Sequence, residues 1–407
     1  MDVRIIPKKL AGTVAPPSSK SMAHRAILAA ALAQGTSVIR KVTFSQDIQA
    51  TLRCVAELGC DWEQPEPDTL QVRGLWGREW NPAGLSLFDC GESGSTLRFV
   101  IPIALALLGG GRFTGRGRLM ERPQQPYLDL FRKKGILWEQ QASVLTIRGE
   151  LEPGEYPLPG DVSSQFVTGL LYALPLLEGD SRMEMTSPLQ SRGYVEMTLE
   201  TLRAFGIQVE NQGYKRFLVP GGQLFASRDT AIEGDWSQGG FWYAAKALGN
   251  PVTIQGLRED SPQGDRVVAE HFSLLCQPGD TEIDLTDCPD LLPPLAVMAA
   301  GRQGTTRFAG AARLRLKESD RLVTVHAMLA ALGCRAEEGP DSLTITGGPL
   351  TGGVVDGAND HRIVMAAAIA ATACGGPVTI TGAQAVEKSY PAFWQDYKKL
   401  GGEVHVL

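Results

Sequence analysis

The chain has 407 residues, of which 43% are hydrophobic and 21% charged, with a formal net charge of −6 at pH 7. This length allows two or three domains, and the acidic balance disfavours nucleic acid and anionic membrane surfaces as partners. Seven scattered cysteines and five histidines without metal-ligand spacing argue against a disulfide framework and a metal site. No apolar run reaches the roughly 20 residues that span a bilayer, so we expect a cytoplasmic protein.

The first predicted elements are a strand over residues 2–10, a proline-stiffened loop and an Ala/Leu-rich helix over residues 26–33. Lys20, Ser21, His24 and Arg25 lie at the junction of loop and helix. The free N–H groups and positive dipole end of a helix start favour anions, and Lys and Ser add hydrogen-bond donors. The junction indicates a phosphate or carboxylate site. The alternative is an ordinary N-cap at Ser21 with surface cations on the first turn.

Two half-repeats recur six times each along the chain. One is an apolar helix, a glycine and a short strand; the other is an amphipathic helix, a glycine and one or two strands. The glycines of the first half-repeat are Gly35, Gly110, Gly179, Gly249, Gly304 and Gly376. The pattern predicts an α/β protein of six βαβαββ repeats, three in each of two domains, with the helices packed inside the sheets. Helix–glycine–strand segments are also common in α/β proteins in general. The alternative interpretation is therefore that the six matches arise without a repeat.

The domain boundary is predicted near residues 233–235, where the third repeat ends and a new helix begins. If the first strand belongs with the C-terminal half, one domain comprises residues 1–18 and 234–407, and residues 19–233 form an inserted domain. We expect the active site in the cleft between these two domains.

Further loop-to-helix corners with the same character follow in chain order at residues 90–98, 121–123, 160–166, 288–290, 315–321, 359–362 and 387–391. Each alone is typical of a helix cap or a solvated charged face. Their recurrence at comparable points of a repeat predicts one ring of cations from each domain, and the two rings would face each other around a pair of anionic ligands. Lys317 and Arg321, four residues apart, are predicted to share one helical face. The sequence lacks a dinucleotide fingerprint, a P-loop and a nucleophile elbow, so the chemistry needs only acid–base groups and charge stabilisation.

The segments SSKSMAHR, GESGSTLRF, ERP, DVSSQF, SRGY, CPD, LKESDR, NDHR and EKSYP closely resemble, in the same order, the motifs of the 5-enolpyruvylshikimate-3-phosphate synthase family. The resemblance runs from residue 18 to residue 391. It implies the same two-domain fold of six repeats. It also implies transfer of the enolpyruvyl group of phosphoenolpyruvate to the 5-hydroxyl of shikimate 3-phosphate, through a tetrahedral ketal. No metal or organic cofactor is implied, and we expect a monomer.

The resemblance assigns roles to individual residues. Shikimate 3-phosphate would be bound by Lys20, Ser21, Arg25, Ser163, Ser164, Gln165, Ser191, Asp290 and Lys317. Phosphoenolpyruvate would be bound by Lys20, Gly94, Arg122, Gln165, Arg321, Arg362 and Lys388. Asp290 would be the base for the 5-hydroxyl, and Glu318, with help from a lysine such as Lys20, would protonate the methylene carbon.

The sequence departs from the family pattern at Glu92 and Arg313, where the family most often has Asn. Gly94 is the small residue that in the family leaves room for the inhibitor glyphosate. We therefore expect sensitivity to glyphosate, which Glu92 and Ser95 could weaken.

Two alternative functions remain open. An enolpyruvyl transferase acting on UDP-N-acetylglucosamine would have a Lys-Asn pair and a reactive loop cysteine, whereas Lys20 is followed by Ser21. A binding-only relative would lose the carboxylates, yet Asp290 and Glu318 are both present.

Overall fold

The structure is a computed structural model that describes residues 1–75 and 84–407. The chain divides into two compact units, one formed by Met1–Pro17 with Glu233–Leu407 and the other by Ser18–Ile232. Each boundary between the units lies one residue earlier in the sequence than predicted.

The described residues form the following α-helices: α1 (Lys20–Leu32), α2 (Gln46–Glu57), α3 (Gly94–Leu108), α4 (Gln125–Lys133), α5 (Ser164–Ala173), α6 (Arg192–Ala204), α7 (Trp236–Ala247), α8 (Val268–Leu275), α9 (Leu292–Ala300), α10 (Arg321–Ala331), α11 (His361–Ala371) and α12 (Phe393–Lys399). Short 3₁₀ segments lie at Leu119–Glu121, Leu174–Leu176, Gly264–Val267, Pro289–Leu291, Ala312–Leu316 and Ala383–Lys388. None of the helices in the described ranges is both long and apolar enough to cross a membrane.

The strands of the described residues are β1 (Val3–Ile6), β2 (Gly12–Val14), β3 (Ala33–Gln34), β4 (Thr36–Arg40), β5 (Asp61–Glu66), β6 (Thr69–Arg73), β7 (Leu87–Asp89), β8 (Gly110–Thr114), β9 (Leu137–Gln141), β10 (Val144–Arg148), β11 (Glu155–Leu158), β12 (Ser181–Met185), β13 (Glu210–Gln212), β14 (Arg216–Val219), β15 (Phe225–Ala226), β16 (Thr230–Ala231), β17 (Val252–Ile254), β18 (Thr281–Asp284), β19 (Thr305–Ala309), β20 (Arg335–Glu338), β21 (Ser342–Thr346), β22 (Gly353–Asp356), β23 (Val378–Thr381) and β24 (Glu403–Val406).

The Ser18–Ile232 unit contains three four-stranded sheets of the same design. Their strand orders are β16-β4-β6-β5, β7-β8-β10-β9 and β11-β12-β14-β13. In each sheet the first two strands are parallel and the remaining neighbours are antiparallel. A parallel pair needs a crossover, which a helix supplies, and an antiparallel pair needs only a turn. This is the predicted βαβαββ repeat.

The other unit has the same design in two sheets, β18-β19-β21-β20 and β22-β23-β1-β24. The strand β1 pairs antiparallel with β23 and β24, so the N-terminal strand completes the last repeat. The remaining sheet contains only β2 and β17 in parallel. Residues 255–280 are fully described and contain no strand, so the fourth repeat is reduced to two strands. This is the repeat whose second half, HFSLLCQPGDTEIDL, is degenerate in the sequence.

The Ala-rich helices form the interior of each unit, as the sequence predicted. Every residue of α9 and α11 is buried, and so are ten of the thirteen residues of α1. Close approach of α3 and α5 depends on Gly169, where a Cβ would lie 2.3 Å from the carbonyl oxygen of Arg98. Small residues at such crossings let helix backbones pack closely, and the fold class predicted from the sequence is confirmed.

Two predicted helix starts are wrong. Helix α1 begins at Lys20, six residues before the predicted start, and its N-cap is Ser19 rather than Ser21. Helix α10 begins at Arg321 with Asp320 as its N-cap. Lys317 therefore precedes that helix and does not share a helical face with Arg321. Capping explains both starts, because a side-chain oxygen that accepts an N–H of the first turn selects the residue at which a helix begins.

Candidate active site

The first turn of α1 presents a lysine that is already paired. Ser19 accepts a hydrogen bond from the backbone N–H of Met22, which leaves Lys20 as the first helical residue. Nζ of Lys20 lies 2.6 Å from Oδ2 of Asp47, and both side chains are largely buried. The ammonium group is thereby held at the helix N-terminus, where an anion is also favoured. Asp47 was not singled out in the sequence; its only signal is an acidic residue in the first turn of α2.

Arg25 lies one turn further along α1 and is a buried brace. Its Nε donates to Oγ1 of Thr198 at 2.9 Å, and Nη1 donates to the carbonyl oxygen of Ser21 at 2.7 Å. Nη2 donates to the carbonyl oxygen of Tyr194 at 2.8 Å and to Oγ1 of Thr168 at 3.4 Å. Burial lowers the pKa of Arg25 to about 10. Since four of the five N–H donors of a guanidinium are used within the protein, Arg25 chiefly ties α1 to α5 and α6.

The N-terminus of α3 brings a glycine against an arginine. Ser93 caps the helix by accepting the N–H of Thr96, and Gly94 follows as the first helical residue. A Cβ on Gly94 would lie 2.6 Å from Nη1 and 2.8 Å from Cζ of Arg122. The guanidinium group of Arg122, 7% exposed, thus packs directly on the backbone at residue 94. Any larger side chain at this position must displace it.

Gln165 links the start of α5 to the start of α3. Ser163 caps α5 by accepting the N–H of Gln165, and Ser164 is the first helical residue. The amide Nε2 of Gln165 donates to Oγ of Ser95 at 2.9 Å, and its Oε1 accepts from Nη1 of Arg98 at 2.7 Å. The sequence left Arg98 without a role. The structure shows that it orients Gln165.

Ser191 precedes α6 in an unusual conformation. Its φ of 57° and ψ of 46° lie in the left-handed region, which a non-glycine residue rarely occupies. The residue is 3% exposed. Left-handed residues held by their surroundings often occur at functional sites.

In the other unit, Asp290 lies among three cations. It belongs to the 3₁₀ segment Pro289–Leu291 that leads into α9. Its Oδ1 is 3.1 Å from Nζ of Lys317 and 2.8 Å from Nη1 of Arg321, and its Oδ2 is 3.2 Å from Nη2 of Arg362. Nη1 of Arg362 also donates to the carbonyl oxygen of Asp290. The carboxylate thus joins the loop before α10 and the first turns of α10 and α11.

These cations control the ionisation of Asp290. Burial favours the neutral carboxyl, but Arg362, Lys317 and Arg321 together outweigh it and hold the pKa of Asp290 well below its usual value. Burial lowers the pKa of Lys317, while the attraction of Asp290 opposes that shift. At neutral pH Asp290 is therefore ionised, and Lys317 gives up its proton more readily than an exposed lysine.

Arg321 connects Asp290 to two further carboxylates. Its Nη2 lies 2.6 Å from Oε2 of Glu318, and its Nε lies 2.9 Å from Oδ2 of Asp360. Asp360 is fully buried, caps α11 and also accepts from Oγ of Ser319 at 2.9 Å. Burial opposes charge on Arg321, but the three carboxylates raise its pKa above the usual value. The sequence indicated Asp360 only as part of its NDHR segment and gave it no role.

The carboxylate–cation cluster consists of Asp290, Glu318, Asp360, Lys317, Arg321 and Arg362. It contains three carboxylates and three cations, so its formal charges balance. The sequence predicted a ring of cations. The structure instead holds each of these cations in an ion pair, which orients them before any ligand is bound.

Lys388 is held next to the N-terminus of α11, the helix that Asp360 caps. It ends the 3₁₀ segment Ala383–Lys388 and donates to the carbonyl oxygen of Asn359 at 2.6 Å. Ala358 and Asn359 both have positive φ, at 50° and 51°. This turn places the Asn359 carbonyl toward Lys388 and leaves Asp360 at the cap of α11. The departure at Arg313 has a partner in the same unit, because Nη2 of Arg313 donates to the carbonyl oxygen of Thr286 at 2.6 Å.

Within residues 1–75 and 84–407, no group of three or more His, Cys, Asp or Glu side chains could hold a metal ion. All seven cysteines are free thiols. The predicted site residues thus fall into two sets. Lys20, Ser21, Arg25, Gly94, Arg122, Ser163, Ser164, Gln165 and Ser191 lie in the Ser18–Ile232 unit, and Asp290, Lys317, Glu318, Arg321, Arg362 and Lys388 lie in the other.

Comparisons with known proteins give one consistent result. A family model described as EPSP synthase (3-phosphoshikimate 1-carboxyvinyltransferase) matches residues 5–397. The chain is 43% identical to the 3-phosphoshikimate 1-carboxyvinyltransferase of Clostridium novyi, an alignment that covers 98% of each chain. It is 42% identical to that of Clostridioides difficile, over 99% of this chain and 98% of the relative. An EPSP synthase structure from Acinetobacter baumannii superposes with a TM-score of 0.82 at 24% identity, covering 100% of both chains. The enolpyruvyl transferase NikO from Streptomyces tendae superposes with a TM-score of 0.79 at 18% identity, covering 99% of this chain and 98% of the other.

Proposed function

The chain belongs to the EPSP synthase family, and from that premise we propose how its residues carry out the family's reaction. The enzyme transfers the enolpyruvyl group of phosphoenolpyruvate to the 5-hydroxyl of shikimate 3-phosphate and releases phosphate. The observation that carries the residue assignment is the position of Asp290, ionised and held by Lys317, Arg321 and Arg362.

Shikimate 3-phosphate is assigned to the helix starts of the Ser18–Ile232 unit and to two residues of the other unit. Lys20 and Ser21 at the start of α1 and Ser163 and Ser164 at the start of α5 offer an ammonium, hydroxyls and N–H groups to a phosphate. Arg25 has one N–H beyond those that it uses within the protein, so its contribution is mainly to hold α1. The complete proposed set is Lys20, Ser21, Arg25, Ser163, Ser164, Gln165, Ser191, Asp290 and Lys317.

Phosphoenolpyruvate is assigned to cations of both units. Arg122 packs on Gly94, and Gln165 is oriented by Arg98, so this part of the set is already ordered. The complete proposed set is Lys20, Gly94, Arg122, Gln165, Arg321, Arg362 and Lys388. That these residues of the two units meet around the same pair of substrates stays a prediction from the sequence.

The acid–base steps are assigned to two carboxylates. Asp290 accepts the proton of the 5-hydroxyl as that oxygen forms a bond to C2 of phosphoenolpyruvate. Glu318 delivers a proton to the methylene carbon, which becomes a methyl group, and a phosphate ketal results. Phosphate then leaves with the proton held by Asp290 while a methyl proton returns to Glu318, which gives the enol ether and restores both carboxyl groups to their starting states. Glu318 pairs with Arg321, so it needs a proton before it can act as an acid. A lysine supplies it. Lys20 is the lysine that the resemblance implies, and Lys317, whose pKa burial lowers, is a second donor within the carboxylate–cation cluster.

One assay tests this assignment directly. Release of phosphate from phosphoenolpyruvate is measured with and without shikimate 3-phosphate. We expect release only when both substrates are present, with one enol ether formed per phosphate. Release that does not require shikimate 3-phosphate, or that responds to UDP-N-acetylglucosamine instead, would contradict the proposal.

Two further properties remain proposals. We expect the enzyme to act as a monomer, since each proposed residue comes from a single chain. We expect it in the cytoplasm, where free thiols persist. Sγ of Cys54 and Sγ of Cys90 lie 3.9 Å apart in the interior without a disulfide, which is compatible with a reducing compartment.

A further inference from the structure

Four buried side chains of the Ser18–Ile232 unit form a continuous chain of hydrogen bonds from α1 to α3. Nδ1 of His24 lies 2.7 Å from Oγ1 of Thr51 on α2. That oxygen lies 2.7 Å from Oγ1 of Thr96 on α3, and Thr96 donates to Oγ of Ser93 at 2.8 Å. None of the four residues is more than 1% exposed. We call this arrangement the His24–Ser93 chain.

The direction of the bonds follows from the state of the histidine. Burial, followed by the charges of Lys20 and Arg25, lowers the pKa of His24 well below 6.5, so the ring is neutral. Its Nε2 is buried and has no hydrogen-bond partner in the described residues. A proton on Nε2 would bury an unpaired donor, whereas a proton on Nδ1 leaves only a lone pair there. Nδ1 therefore donates to Thr51, Thr51 donates to Thr96, and Thr96 donates to Ser93.

The two ends of the His24–Ser93 chain lie next in sequence to two parts of the proposed phosphoenolpyruvate site. His24 lies on α1 between Lys20 and Arg25. Ser93 is the N-cap of α3 and directly precedes Gly94, on which Arg122 packs. Ser93 accepts both the N–H and the hydroxyl of Thr96, so its orientation is determined by the chain. Buried hydroxyl groups that lose a partner incur their full desolvation cost, which makes the arrangement sensitive to a break at any point.

We propose that His24 is a positioning residue: through Thr51 and Thr96 it holds the N-terminus of α3, with Gly94 and Arg122, at the correct distance from Lys20 for binding phosphoenolpyruvate. His24 is buried and does not itself touch a substrate. The inference rests on the proposed assignment of Lys20, Gly94 and Arg122 to phosphoenolpyruvate.

Three substitutions of His24 test whether the hydrogen bond that its Nδ1 donates to Thr51 affects phosphoenolpyruvate binding. The amide nitrogen of Asn occupies nearly the place of the histidine Nδ1, whereas that of Gln lies nearer to Nε2. We expect His24→Leu and His24→Gln to raise the KM for phosphoenolpyruvate by about tenfold or more, and His24→Asn to keep it within about threefold of wild type. The dissociation constant of shikimate 3-phosphate, measured by calorimetry without phosphoenolpyruvate, should change less than about threefold in all three. The residues assigned to that ligand at the start of α5 and before α6 lie outside the His24–Ser93 chain, and Lys20, Ser21 and Arg25 keep their places on α1 when only His24 is replaced.

The hydroxyl groups give an independent test that does not depend on folding of the histidine variants. Thr51→Val and Thr96→Val preserve shape and break the chain, so each should reproduce the rise in KM. Adding Thr51→Val to His24→Leu should cost little more, because the chain is already broken. Thr114→Val is the matched control, since the hydroxyl of Thr114 on β8 donates to the carbonyl oxygen of Ser143, away from the His24–Ser93 chain.

The proposal is overturned if the Leu and Asn variants of His24 behave alike. It is also overturned if the valine variants leave the KM for phosphoenolpyruvate unchanged, or if both substrates weaken in parallel with a fall in melting temperature. Failure of the underlying site assignment looks different. In that case Gly94→Ala, which acts directly on Arg122, would leave phosphoenolpyruvate kinetics unchanged.

Discussion

Nη1 of Arg321 lies 2.8 Å from Oδ1 of Asp290, and the arginine side chain is 1% exposed. The same guanidinium also binds Glu318 and Asp360. Both carboxylates assigned to acid–base chemistry thus share one buried cation. Arg321 therefore fixes the two carboxylates relative to each other, in addition to the phosphoenolpyruvate contact proposed for it.

Asp290→Asn should remove the base and leave the surrounding hydrogen bonds partly intact. We expect kcat to fall by about 100-fold to 10,000-fold, as for loss of a general base. Steady-state phosphate release measures kcat, and circular dichroism checks folding. Asp284→Asn is the control, because Asp284 is an exposed strand residue whose Oδ1 accepts from Thr286. Turnover within a few-fold of wild type would show that Asp290 is not the base.

Glu318→Gln tests the other carboxylate. The amide can still accept from Arg321 but cannot carry a proton to the methylene carbon. We expect a loss in kcat of about 100-fold or more with a smaller change in KM. Exchange of methylene protons of phosphoenolpyruvate with solvent deuterium should be lost in parallel. Retention of that exchange would assign the proton transfer to another group.

Gly94→Ala should displace the guanidinium of Arg122, because the added Cβ would lie 2.6 Å from Nη1. We expect the KM for phosphoenolpyruvate to rise by about tenfold or more while shikimate 3-phosphate binding stays near that of wild type. Glyphosate should compete with phosphoenolpyruvate in the wild type and inhibit the variant less. Gly348→Ala is the control, since a Cβ there meets nothing within 4 Å. Wild-type kinetics in Gly94→Ala would contradict the assignment of residue 94.

Lys20→Ala should impair the use of both substrates. The ammonium is held by Asp47 at 2.6 Å, at a helix start that favours anions, and it is assigned to both ligands. We expect the KM values for phosphoenolpyruvate and shikimate 3-phosphate both to rise. An effect confined to shikimate 3-phosphate would reduce Lys20 to a phosphate anchor. Lys215→Ala, at a turn remote in sequence from every assigned residue, serves as the control.

The stability of the protein should depend on pH through His24. Its folded pKa lies well below 6.5, so below pH 6.5 the unfolded chain binds a proton that the folded chain excludes. The free energy of unfolding therefore falls as pH drops, by up to about 1.4 kcal/mol per pH unit. Urea unfolding between about pH 5 and pH 7 measures this slope. His24→Asn should have a smaller slope than wild type. An equal slope in His24→Asn would contradict a neutral buried His24.

Much of the local structure was readable from residue types. Apolar runs followed by glycine predicted the buried helices, and the segments with Lys, Arg and Asp near helix starts gave the candidate site residues of both units, whose roles stay predictions. The helix starts that were predicted wrongly lie where several neighbouring polar residues could each act as the N-cap. Ser18, Ser19 and Ser21 can all cap a helix, and only the path of the backbone selects Ser19. Asp320 likewise caps α10 and leaves Lys317 outside it.

The sequence by itself determined the family through its ordered motifs, and the repeat and the buried helices through patterns of residues close in the chain. The tertiary structure decided which charges pair. Lys20 with Asp47, Asp290 with Arg362, and Gly94 with Arg122 join segments 27 to 72 residues apart. Which residues pair over such sequence separations depends on how helices and sheets pack, and the helix-start motifs contain no information about that packing. The sequence predicted rings of cations. In the structure Lys317, Arg321 and Arg362 are instead held in ion pairs with Asp290, which fix their orientation.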